Sequence, residues 1–86
     1  MSFDIVLHEE ARQTRVEITG RISLGQLASL MQVLAVDSAT WVRDDVLLDL
    51  CGLQVRFRPA EQELLAHVAR SRLCGKSVQL RWPGNP

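Results

Sequence analysis

The chain has 86 residues, 47% of them hydrophobic and 23% charged, with ten basic and ten acidic side chains and a formal net charge of zero. That length holds one domain with a thin stability margin, and the mixed charges exclude disorder driven by self-repulsion. They equally exclude an overall field that would draw in nucleic acid or an acidic membrane.

The balance conceals a division. Residues 1–53 carry four arginines against eight carboxylates, and residues 54–86 carry six cations against two carboxylates. Either the basic half presents a partner-binding face, or the two halves neutralise one another across the fold. The general tendency of charges to be solvated or locally paired favours the second. No apolar run approaches the roughly 20 residues of a membrane helix, and Met1–Asp4 lacks the basic start of a secretion signal. Cys51 and Cys74 stand apart, in neither a CxxC nor a metal-ligand spacing, and are expected to remain reduced. These features predict a cytoplasmic protein without membrane insertion.

Phe3, Ile5 and Leu7 alternate with Asp4, Val6 and His8, which predicts a strand; Val16 and Ile18 alternate with Arg15, Glu17 and Thr19 and predict a second. The polar stretch His8–Thr14 joins them as antiparallel neighbours, and Gly20 ends the second. Ser23-Leu24-Gly25-Gln26 has the form of a capping box. Leu24, Leu27, Leu30, Met31 and Leu34 then recur at helical spacing, predicting about three turns before a polar linker, Asp37–Asp45, that contains Trp41.

Val46–Leu50 is apolar without alternation, which predicts a strand covered on both faces or central in the sheet. Gly52 closes it. Pro59 opens a second helix, with Glu61 and Glu63 in its first turn, Arg70 and Arg72 near its end, and Ala60, Leu64, Leu65, Val68 and Leu73 facing inward. Gly75 stops it, Val78, Leu80 and Trp82 form a last strand, and residues 83–86 are a tail. The expected fold is α/β, in the order β-β-α-β-α-β, with a small mixed sheet and a right-handed parallel β-α-β unit.

Asp49, near the carboxyl end of the central strand, is the most suggestive polar residue, because ligands of open α/β sheets bind beyond such ends. It could hold a metal or hydroxyl, or accept N–H bonds from the turn Cys51-Gly52-Leu53. The second reading is favoured because no carboxylate or histidine stands nearby in sequence to complete a site. Glu63 and His67 can meet on one helix surface, but no nucleophile is spaced to join them. Cys51 is expected to be a buried small apolar residue, and Cys74 sits where the helix dipole disfavours a thiolate. The five glycines are scattered singly, so no phosphate loop is formed. Arg56-Phe57-Arg58 sets one ring between two guanidiniums, too little for an RNA platform. No cofactor, metal or nucleic-acid partner is expected, and no catalysis.

The run Val46-Leu47-Leu48-Asp49-Leu50-Cys51-Gly52-Leu53, a following helix, and then Gly75-Lys76-Ser77-Val78-Gln79-Leu80 resemble the STAS domain (sulfate transporter and anti-sigma antagonist). That family has a "VVLDLSGV" strand and turn, a helix, and "GG-x-L-x-L" opening the next strand. Thr19-Gly20-Arg21-Ile22-Ser23 is similar to the family's "L-x-G-x-L-D" exit from its second strand, so the likeness covers about residues 14–82.

The resemblance implies a regulatory domain, with two departures. Where bacterial anti-sigma antagonists have "F-I-D-S-S-G", whose first serine is phosphorylated, this chain has Val55-Arg56-Phe57-Arg58-Pro59-Ala60. Arg58 stands at the serine and Phe57 at the aspartate, so the phosphoswitch does not carry over. The chain also stops at Pro86, short of the helix with which such domains usually continue, so exposed apolar surface and a homodimer or a permanent protein partner are expected. The expected function is a non-catalytic regulatory or protein-interaction module of STAS-like fold, contacting its partner through Asp49, Gly52, Arg56, Phe57, Arg58 and Glu61. The alternative is a small-molecule or lipid-binding module, which needs a pocket between sheet and helices.

Overall fold

The computed structural model describes residues 2–84; Asn85 and Pro86 of the expected tail lie outside the described residues. Alternation in the first two segments produces β1 (Phe3–Glu9) and β2 (Thr14–Gly20), which pair antiparallel with Ile5 opposite Ile18. Helical spacing produces α1 (Leu24–Asp37) and, after β3 (Asp45–Asp49), α2 (Pro59–Arg72); β4 (Ser77–Arg81) follows. The sheet runs β1-β2-β3-β4, with β2, β3 and β4 mutually parallel. The β-β-α-β-α-β order, the mixed sheet and the β3-α2-β4 unit are therefore as expected. No helix among the described residues is long and apolar enough to cross a membrane.

A second parallel unit, β2-α1-β3, places both helices. The strands step across the sheet in one direction, so two right-handed crossovers deliver α1 and α2 to the same face. There the helices touch each other, and one core joins Val16 and Ile18 of β2, Val46 and Leu48 of β3, Leu27, Met31 and Leu34 of α1, and Leu65 and Ala69 of α2. The other face carries no helix. β3 is central, as its composition requires, and its helix-free side is covered sideways: Leu47 is 7% exposed between Arg15 and Gln79 in the register.

Local chemistry fixes the ends. Ser23 Oγ accepts from the Gln26 N–H at 3.1 Å while Gln26 Oε1 accepts from the Ser23 N–H at 3.0 Å, completing the capping box. α1 has 14 residues, about a turn more than its spacing predicts, and ends where the Ser38 hydroxyl donates to Ala35 O at 2.7 Å. A 3-10 turn, Ser38–Thr40, then delivers Trp41 into the core, so the polar linker contains a buried anchor.

α2 departs from expectation in its inner face. Leu65, Ala69 and Leu73, four residues apart, form the buried line with Val68 half-buried beside it, whereas Ala60 and Leu64 face solvent. A helix that shares the sheet face with α1 needs only one such line, and Leu64 lies about 100° from it. Past the helix, Gly75 at φ +86° adopts the left-handed backbone that returns the chain to β4.

Candidate functional site

Because β2, β3 and β4 are parallel, their carboxyl ends converge where both helices begin. The turn after β3 is tied down at this end. Leu53 N–H donates to Leu50 O at 3.1 Å, and Gly20 bridges the turn by donating to Gly52 O at 3.2 Å and accepting from Gln54 N–H at 2.7 Å. Gly52 permits this approach: a β-carbon there would meet Thr19 Cγ2 at 2.5 Å.

Asp49 takes the structural role. Its carboxylate accepts from the Cys51 N–H at 3.3 Å and from Arg15 Nη1 at 3.1 Å on the helix-free face. Partial burial pulls this carboxyl upward, but the bonds from Cys51 and Arg15 outweigh it and hold the pKa below its ordinary value. Arg15 also donates to Glu10 at 2.9 Å, and Glu10, bonded by Gln13 and Arg15, is likewise lowered. His8 meets Glu17 at 3.0 Å beside this network. The members of this network come from β1, the turn after it, β2 and β3, so the alternation of Arg15 and Glu17 with Val16 and Ile18 is its only trace in the sequence.

Cys51 is exposed, contrary to expectation, because it begins the turn after Leu50 has paired with Arg81 O. Partial desolvation and the bond to Asp49 raise its pKa, leaving it a poor nucleophile at neutral pH.

The other expected site residues gather at the start of α2, on the opposite side of the sheet from the Asp49 carboxylate. Glu61 Oε1 accepts from the Arg58 N–H at 2.8 Å and caps the helix. Phe57 packs edge-on against Trp82 with ring centroids 6.0 Å apart, and its carbonyl accepts from Gln62 Nε2 at 3.1 Å. Arg56, Phe57, Gln62 and Pro83 line a cleft of about 100 Å³. The structure thus brings Arg56, Phe57, Arg58 and Glu61 together, with Gly52 in the turn leading to them and Asp49 apart.

The two charged halves do not neutralise one another. Among the described residues one ion pair joins them, Lys76 with Asp44 at 3.7 Å; Arg56, Arg58, Arg70, Arg72 and Arg81 have no carboxylate partner. Glu63 and His67 form no hydrogen bond, and no three His, Cys, Asp or Glu side chains among the described residues converge on a metal position. A second concavity, an open groove of about 580 Å³, runs between β1 and α1, lined by Phe3, Gly25, Gln26, Ser29, Leu30 and Val33.

No protein-family model matches the chain, and no curated protein matches it.

Proposed function

We propose that the chain is a non-catalytic regulatory module of STAS-like fold that binds an acidic protein through the turn Cys51–Arg58 and the start of α2. One observation carries this reading: among the described residues the arginines of the basic half lack carboxylate partners, and two of them, Arg56 and Arg58, flank an aromatic anchored on Trp82. Unpaired guanidiniums beside a helix N-terminus favour carboxylates and other anions. Asp49 and Glu61 serve the scaffold, one bonded to Arg15 and the other to the Arg58 backbone. They set the turn rather than meet the partner. The likeness to the STAS domain is supported by placement: Asp49 closes β3, Gly52 lies in the turn and Gly75 precedes β4. Arg58 offers no hydroxyl, so this contact would be constitutive rather than gated by phosphate.

Photo-crosslinking in the source cells tests the proposal. A crosslinker at Arg56 should yield a discrete protein adduct that fades when Arg58→Glu is added, while one at exposed Gln32 should not. Equal labelling from both positions would refute it. The groove between β1 and α1 favours a second reading, a lipid or small apolar ligand; that reading predicts added non-protein mass on the gently purified chain.

A further inference from the structure

Among the described residues, β1 is an edge strand with no strand on its outer side. The Ser2 carbonyl accepts from the Arg21 N–H, and the Glu10 N–H donates to the Gln13 carbonyl. The two contacts lie one step beyond either end of the β1–β2 register and continue its pairing. In an antiparallel pair such hydrogen-bonded positions alternate with free ones. Even-numbered residues of β1 therefore bond β2, and Phe3, Ile5, Leu7 and Glu9 point their N–H and C=O groups outward. Phe3–Glu9 contains no proline, lysine or left-handed residue to blunt this edge, its charges stand only at Asp4 and Glu9, and Ile5, Val6 and Leu7 are 39%, 47% and 42% exposed. The opposite edge, β4, is two residues shorter, and its Val78 and Leu80 are already buried or half-buried.

We propose that β1 is a homodimerisation edge, two copies pairing antiparallel about a two-fold axis at Val6 to join their sheets into one. The occupant is a second copy because β1 complements itself in this register. Asp4 stands opposite the partner copy's histidine at position 8, so at both ends of the helix-free face a carboxylate meets the ring nitrogen that Glu17 leaves free. Ile5 stands opposite the partner's leucine at position 7 on the helix-bearing face, and valine meets valine on the axis. All seven residues of the strand are paired, Phe3 standing opposite the partner's glutamate at position 9, with every outward N–H and C=O used. Moving the axis to Ile5 sets Asp4 against valine, and moving it to Leu7 sets Asp4 against Glu10; both lose the carboxylate–imidazole pair. Hydrogen-bonding and apolar pairs set directly across an antiparallel ladder each stabilise it. The contact leaves the α2 end free, so it stands independently of the function proposed above.

Sedimentation of the full chain from low to high micromolar concentration tests the pairing, together with disulfide trapping in a Cys51→Ser/Cys74→Ser background. The chain should shift from monomer to dimer. Leu7→Pro, which removes an outward N–H and no bond to β2, should remain monomeric while its circular dichroism stays folded. Val6→Cys, on the axis, should form an intermolecular disulfide, and Asp4→Cys should not. A chain that stays monomeric throughout, a dimer that survives Leu7→Pro, or a Val6→Cys variant that fails to crosslink would each overturn the proposal.

Discussion

Thr14 is fully buried on β2, in register with Val46, and its hydroxyl has no hydrogen-bond partner. An unmade bond in a sealed site costs desolvation energy that a methyl group of the same shape does not. Thr14→Val should therefore stabilise the fold by about 1 kcal/mol, read as a higher thermal midpoint. Asp49 and Glu10 behave oppositely, since each carboxylate is held by bonds that exist only in the folded chain. Their folded pKa values lie below the unfolded ones. The stability they contribute is thus complete above the unfolded values, roughly pH 4, and is lost as pH falls through the folded ones. Melting temperature should hold between neutral pH and about pH 5 and then fall, and Arg15→Met should flatten that fall. An acid profile unchanged by Arg15→Met would dissociate Asp49 and Glu10 from it.

At the scale of the element, what could be read from the sequence was what is locally encoded. Ser23 and Gln26 form their reciprocal cap from a four-residue pattern, and Ser23→Ala should cost about 1 kcal/mol in thermal or denaturant unfolding. Pro59, Gly75 and the period of β1 and β2 announce their elements in the same local way. The inner face of α2 was less legible. Leu64 and Leu65 are equivalent as residues, and only the position of α1 and the sheet decides that Leu65 is buried and Leu64 exposed. Trp41 looked like a linker residue for the same reason, its burial being set by elements distant in sequence. Gly52 read as a strand stop, but its space is taken by Thr19 from β2. Gly52→Ala should destabilise the fold by about 1 kcal/mol or more through overpacking, visible as a lowered unfolding midpoint.

Across the whole molecule, two successive crossovers put both helices on one face of a four-stranded sheet. The other face is left to a polar network, and β1 is left at an open edge. Charge segregation was legible as a sum over residues, but its consequence was not. Pairing depends on which side chains the fold brings within reach, and the fold joins the halves by one ion pair among the described residues, Lys76 with Asp44. The site divided likewise. Arg56, Phe57, Arg58 and Glu61 cluster because they are consecutive or one helical turn apart, while Asp49 was drawn to Arg15, distant in sequence. Native mass spectrometry of the chain, gently purified from its own cells beside an Arg56→Glu/Arg58→Glu variant, bears on the interaction reading most directly. A second, acidic protein should be bound to the unsubstituted chain and absent from the variant. The same acidic protein bound to both, or a chain carrying no protein other than a second copy of itself, would contradict that reading.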